Sequence, residues 1–256
     1  MKITARRRFG QNFLMDESVI DSLIRSIAPA SDDFFVEIGP GRGALSTALL
    51  AYSQNLMAIE IDRDLIVFLN QKLPNLKIIA GDVLNVDFSI FKNFRLVGNL
   101  PYNISTPLLI RLKECKAQMI DAHLMLQREV VERLTAAPNT SIYGRLSIAM
   151  QCDFHIQKCF EIPPQAFYPT PKVTSSWVRL KKIEKNSAFT VENRKIFDFV
   201  VQKAFAQRRK MLRNTLRGIL NEKAAQLCNI DLSARAENLS VADFVRIANF
   251  LNKEKT

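Results

Sequence analysis

Two hydrophobic periods alternate along the first half of the chain. Val19, Ile20, Leu23, Ile24 and Ile27 recur at helical spacing behind Asp16, which is placed to cap that helix. Phe34 to Ile38 is a short apolar run of strand character and leads through a glycine-rich turn into a helix over Ala44 to Tyr52. Leu56 to Glu60 predicts a second strand and Arg63 to Lys72 a second helix. Apolar runs at Lys77 to Ala80, Arg95 to Gly98 and Ala122 to Gln127 continue the rhythm. Such βαβ alternation predicts a mostly parallel sheet covered on both faces. Strand-like stretches at Ser147 to Ile156 and Val173 to Leu180 come late and suit an antiparallel pair that completes the sheet.

The pattern changes at the polar connector Lys181 to Ser187, beyond which it is helical. Ser240 with Asp243 forms a capping box ahead of Phe244, Ala248 and Leu251. The predicted organisation is therefore α/β: a Rossmann-like domain over residues 1–182 and a small all-helical C-terminal domain over residues 183–256. A chain of 256 residues that is 48% apolar can bury a core in each.

A net charge of +11 calls for an anionic partner, and phosphate backbones are the commonest. A membrane surface is the competing partner, but no apolar run approaches the roughly 18 residues a span needs. The basic start is followed by Phe9-Gly10-Gln11-Asn12 where a secretion signal has its apolar region, so a soluble, cytoplasmic protein is expected. Cys115, Cys152, Cys159 and Cys228 are scattered without metal-binding or disulfide-framework spacing, which predicts reduced thiols and no metal site.

Glu37-Ile38-Gly39-Pro40-Gly41-Arg42-Gly43 follows a predicted strand and opens a predicted helix. Its spacing departs from the dinucleotide fingerprint, yet glycines there let a ligand approach the backbone closely. S-adenosylmethionine has no phosphate for a helix N-terminus, and its amino-acid portion can lie along this turn. The same formula also serves as a tight turn with no ligand. Glu60 ends the second strand, where a carboxylate accepts from both ribose hydroxyls. Asp82, after the third, is placed to accept from an adenine amine while Val83 packs on the ring. Asp62 and Asp64 read instead as solvated loop charges.

Asn99-Leu100-Pro101-Tyr102 follows the strand Arg95 to Gly98. An aromatic exocyclic amine is a poor nucleophile because its lone pair is delocalised. The Asn99 side-chain oxygen and the Leu100 carbonyl can each accept one of its N–H groups and turn the lone pair toward a methyl donor. Pro101 stiffens the turn, and Tyr102 offers a face for base stacking. Read alone, the tetrapeptide is also an ordinary turn formula beside a core aromatic.

In this order the motifs resemble the ribosomal RNA adenine N6,N6-dimethyltransferases. Arg8 to Leu14 resembles that family's N-terminal cofactor motif, Glu37 to Gly43 its glycine-rich motif, and Asn99 to Tyr102 its catalytic motif. Phe167-Tyr168-Pro169-Thr170-Pro171-Lys172-Val173-Thr174-Ser175 resembles its late Phe-x-Pro-x-Pro-x-Val-x-Ser motif. The resemblance implies S-adenosylmethionine as cofactor, held by Gln11, Asn12, Leu14, Glu37, Gly39, Gly41, Glu60, Ile61, Asp82, Val83 and Asn99. It implies that Asn99, Leu100, Pro101 and Tyr102 handle the adenine, with Phe167 as the second side of a base clamp. The target it implies is a pair of adjacent adenosines in a hairpin loop near the 3′ end of small-subunit (16S) ribosomal RNA. Leucine at position 100 suits that branch, since large-subunit relatives of the macrolide-resistance type more often carry isoleucine. Arg6, Arg7 and Arg8 form one basic cluster. Lys203, Arg208, Arg209, Lys210, Arg213 and Arg217 form a second on a stretch expected to be helical, and both are assigned to RNA phosphates of the small ribosomal subunit. Nothing in the sequence requires more than a monomer. A large-subunit rRNA adenine methyltransferase of the macrolide-resistance type, a DNA adenine methyltransferase and a ribosome-assembly factor whose binding outweighs its chemistry are the other readings.

Overall fold

The computed structural model describes residue 6, residues 10–183 and residues 190–254. The chain runs through β1 (Phe13–Leu14), α1 (Glu17–Ile27), β2 (Phe34–Ile38), α2 (Ala44–Leu50), β3 (Leu56–Glu60), α3 (Arg63–Lys72) and β4 (Lys77–Ala80). It continues through β5 (Phe94–Asn99), α4 (Ser105–Cys115), β6 (Met119–Gln127), α5 (Arg128–Leu134), α6 (Arg145–Gln151), β7 (Phe154–Ile162), β8 (Phe167–Tyr168) and β9 (Ser175–Lys182). The rest is helical: α7 (Arg194–Ala204), α8 (Leu212–Thr215), α9 (Glu222–Leu227) and α10 (Val241–Lys253).

The main sheet has the order β4-β3-β2-β5-β6-β9-β7. Strands β4, β3, β2, β5 and β6 pair in parallel, and β9 returns antiparallel to β6. Central strands of a sheet covered on both faces must be apolar throughout, and β2 and β5 are buried along nearly their whole length. The exception in β5 is Arg95, whose guanidinium donates to Asp121 and Asp33 and to the Ile27 carbonyl, so its charge is compensated. Strand order reverses between β2 and β5, which makes their carboxyl ends the topological switch point where ligands enter open α/β sheets.

Caps set the element starts. Asp16 accepts from the Ser18 and Val19 N–H groups, which turns the buried residues Leu23, Ile24 and Ile27 of α1 inward. Ser240 and Asp243 complete the capping box of α10, as their spacing predicts. The stretch Ser147 to Ile156 departs from its strand expectation. Leu146, Ile148 and Met150 alternate as a strand would, but Gly144 opens a helix there. The Ser147 hydroxyl accepts the Gly144 N–H and donates to the Arg133 carbonyl, and strand structure begins only at Phe154.

The chain divides into two compact units, Met1–Val131 with Ile156–Lys182, and Glu132–His155 with Ile183–Thr256. The expected break at residue 182 is one unit edge, but residues 132–155 belong to the second unit rather than the first. The reason is packing: Tyr143, Ile148 and Cys152 are buried in the same apolar cluster as Phe197, Val200, Leu212 and Phe244. All four cysteines are free thiols. Among the described residues no helix is long and apolar enough to cross a membrane.

Candidate active site

A cavity of about 250 Å³ opens at the carboxyl ends of β2, β3, β4 and β5, within the first unit. After β2 the backbone turns through Gly39 and Gly41 at φ of 65° and 58°. A side chain at Gly41 would also press within 3.1 Å of the Phe13 ring, so glycine is required on conformational and steric grounds. Beneath this loop the Glu37 carboxyl is 2% exposed and accepts the Ser46 hydroxyl at 2.5 Å. Burial, with a smaller contribution from Glu60, pushes its pKa from 4.5 to about 7.

Glu60 ends β3, and one of its carboxylate oxygens accepts the Ile61 and Asp62 N–H groups, each at 2.9 Å. The Gly41 N–H adds to this set, yet burial still raises the Glu60 pKa. Asp82 follows β4, caps the turn at Val83 through the Leu84 N–H at 2.9 Å, and lines the cavity with Val83. Three carboxyl groups around one cavity, two of them hard to ionise when nothing is bound, suit a ligand that carries positive charge and hydroxyl or amine donors. The sulfonium, ammonium, ribose and adenine of S-adenosylmethionine fit that donor set.

On the opposite wall, Asn99 ends β5. Its side-chain Nδ2 donates to the Asn12 carbonyl at 3.0 Å. A carbonyl can only accept, so this bond fixes which way the amide faces and leaves Oδ1 as the group available to a ligand. The Leu100 N–H donates to the Met125 carbonyl at 3.2 Å, while the Leu100 carbonyl accepts nothing from the described residues. The Pro101 carbonyl receives the Ile104 N–H and the Ser105 hydroxyl, which closes the turn and carries Tyr102 to the cavity wall. The Tyr102 hydroxyl lies 3.0 Å from the Ser175 hydroxyl.

The cavity thus brings together Gln11, Asn12, Leu14, Glu37, Gly39, Gly41, Glu60, Ile61, Asp82, Val83, Asn99, Leu100, Pro101 and Tyr102. Phe167 is not among the lining residues. It is 3% exposed, its backbone pairs with Leu14 through the β1–β8 bridge, and it packs with Leu14, Met125 and Trp177, which do line the cavity. In this structure Phe167 lies behind the wall residues Leu14 and Trp177.

Asp62 also departs from expectation. It is 2% exposed, caps α3, and accepts from Gln11 at 2.9 Å and from Arg6 at 3.0 Å. Arg6 bonds Asp64 as well, so this arginine pairs with the start of α3. Arg7 and Arg8 lie outside the described residues. In the second cluster Lys203 lies on α7 and Arg213 on the short α8, while residues 205–210 between them form turns and a bend instead of the expected helix; Arg208 there donates to Glu237 and to the Thr140 and Tyr143 carbonyls. The Ser233 hydroxyl and N–H, with a smaller contribution from the Arg213 charge, hold the Asp231 carboxyl low. Lys203 sits over the Phe199 ring, whereas Arg209, Lys210 and Arg217 are exposed and in no ion pair among the described residues.

Sequence reading missed Phe13 and Trp177. The Phe13 ring lies against Gly41 and beneath the Arg42 guanidinium, 4.8 Å from its centroid. Trp177 is fully buried at the cavity wall, and its indole N–H has no partner among the described residues. Phe13 sits inside the N-terminal motif, so its neighbours signalled it. Trp177 offered only its rarity, being the single tryptophan.

The family model "Ribosomal RNA adenine dimethylase" matches residues 2–253. The Ribosomal RNA small subunit methyltransferase A of Nitrosospira multiformis is 44% identical over 259 residues, covering 100% of both chains. That of Dechloromonas aromatica is 48% identical over 253 residues, covering 97% of this chain and 98% of its own. The crystal structure of a dimethyladenosine transferase from Plasmodium falciparum superposes with a TM-score of 0.81 at 26% identity, covering 95% of this chain and 98% of that one.

Proposed function

The chain belongs to the ribosomal RNA adenine dimethylase family, and from that membership we propose that it dimethylates N6 of two adjacent adenosines in a hairpin loop near the 3′ end of small-subunit (16S) ribosomal RNA. The observation that carries the chemistry is the Asn99 amide, locked by the Asn12 carbonyl with its oxygen left to accept. Bound in the cavity, S-adenosylmethionine supplies an electrophilic methyl group. Glu60 accepts from ribose hydroxyls, Asp82 from the adenine amine of the cofactor, and Glu37 offsets positive charge beside the glycine loop.

In the first transfer Asn99 Oδ1 and the Leu100 carbonyl each accept an N–H of the target amine, and in the second the monomethylated amine gives its one remaining N–H to one of them. That pairing draws the nitrogen toward a pyramidal shape with its lone pair directed at the methyl. In each transfer the C–N bond forms as the methyl–sulfur bond breaks to leave the neutral thioether, and the nitrogen then releases its extra proton to water. Both acceptors also stabilise the positive charge that grows on nitrogen in the transition state, and neither has to move to do so. Tyr102 stacks on the target base, which must leave its own stack to reach the cavity. Phe167 holds the wall behind Leu14 and Trp177. Arg209, Lys210 and Arg217 bind RNA phosphates, and Lys203 and Arg213 add charge beside them. The protein works as a monomer in the cytoplasm and without a metal.

The test offers methyl-labelled cofactor and purified protein to undermethylated small subunits, large-subunit RNA and duplex DNA, followed by mapping of the modified nucleotides. Two neighbouring N6,N6-dimethyladenosines in small-subunit RNA are expected. Label confined to DNA or to large-subunit RNA would overturn the assignment.

A further inference from the structure

Ser175 closes the late motif but does not line the cavity, and its side chain is fully buried at the amino end of β9. Its place is set by the sheet: Ser175 is in register with Gln127 at the carboxyl end of β6, and the Arg128 N–H donates to the Thr174 carbonyl at 3.0 Å. The start of β9 therefore sits at the same sheet edge as Asn99, which is in register with Met125 two residues before Gln127. Its hydroxyl lies 3.0 Å from that of Tyr102.

We propose that Ser175 is a positioning residue, which sets the position and direction of the Tyr102 ring for stacking on the target adenine by holding its hydroxyl from the sheet. This rests on the assignment of Tyr102 as the base-stacking residue. A tyrosine at the start of a turn is otherwise free to rotate about two side-chain torsions. Pro101 restrains the backbone end, through its carbonyl bonds to Ile104 and Ser105. The phenol end is restrained by Ser175 alone among the described residues. With both ends fixed, the axis of the ring is set before RNA arrives, and because a phenolic O–H prefers the ring plane the same bond biases rotation about that axis, so the ordering cost of binding falls. Because the anchor is a strand residue, the ring is referenced to the same rigid sheet that carries Asn99. The distance between the stacking face and the amine acceptors is then a property of the sheet and not of a loop.

The test is a double-mutant cycle of Ser175→Ala and Tyr102→Phe, read as steady-state methylation of undermethylated small subunits and as cofactor affinity by calorimetry. Each single variant is expected to lower kcat/KM for RNA about three- to tenfold, the range one neutral hydrogen bond supplies. The double variant should fall no further than either single one, because both remove the same bond. Cofactor affinity of Ser175→Ala should stay within about twofold, since Ser175 is not at the cavity, and this also confirms folding. Undiminished kcat/KM in either single variant, or additive losses in the double, would overturn the positioning role. If Ser175→Ala does not fold, Tyr102→Phe alone decides: a loss supports the anchor and no loss overturns it. A wild-type protein that methylates no small-subunit RNA defeats the functional assignment instead, so the two failures are distinguishable.

Discussion

Glu37 gives the site a proton linkage that can be measured. Its carboxyl titrates near 7 in the folded, ligand-free protein, against 4.5 when solvated. The folded state therefore holds a proton that the unfolded chain releases. The stability tied to that proton is fully present below about pH 4.5, is lost as pH rises toward about 7, and is flat above. Its size is roughly 3 kcal/mol, from about 1.4 kcal/mol for each decade between the two pKa values. A cationic ligand beside Glu37 favours the ionised carboxylate and so reverses the preference. If binding returns the group to its ordinary range, S-adenosylmethionine should bind about tenfold more tightly near pH 7 than near pH 5.5, releasing close to one proton at the lower pH. Calorimetry in buffers of different ionisation enthalpy measures both quantities. Glu37→Gln keeps an acceptor for Ser46 but cannot titrate, so most of the slope should vanish and a smaller part, owed to Glu60, should remain. An unchanged slope in Glu37→Gln, or pH-independent affinity in the wild type, would refute the linkage.

Glu60→Ala should weaken cofactor binding by one to two orders of magnitude, since charge-assisted bonds of about 1.5 to 3 kcal/mol are lost together with the anchor for the Ile61 and Asp62 N–H groups; unchanged affinity in the same calorimetry would contradict the ribose assignment. Phe167→Ala should lower the melting temperature through a cost of about 3 to 5 kcal/mol, because the ring is core; a variant as stable as wild type that has lost only RNA stacking would restore the clamp reading. Charge reversal at Arg209 and Lys210 should weaken RNA binding, flatten its dependence on salt by about two phosphate contacts and leave cofactor affinity alone, whereas reversal at Arg208 should mainly destabilise the second unit, as thermal melts would report.

The fold was legible where a single physical signal dominated. Apolar runs placed β2 to β6 in order, and glycines between a strand and a helix located the cavity. The sequence misled where two signals competed. Leu146, Ile148 and Met150 have strand period, yet Gly144 and Ser147 close a helix start there that also pulls residues 132–155 into the second unit. Charges were the least legible. Asp62 looks like a loop acid and is buried under Arg6 and Gln11, while Arg208 looks like a phosphate contact and braces its own unit. A charge's partner is fixed by tertiary approach, and local sequence carries no record of it. Phe167 shows the converse: its motif is recognisable, but its depth behind Leu14 and Trp177 depends on the β1–β8 pairing.

Single-turnover kinetics test whether Asn99 orients the target amine for methyl transfer. Wild type and Asn99→Ala are compared on undermethylated small subunits, with cofactor and RNA at saturating concentrations and binding of each measured separately. Asn99→Ala is expected to react more slowly by about 10² to 10³, the loss for one preorganised hydrogen-bonding group, with RNA binding retained. A rate within about threefold of wild type would contradict it.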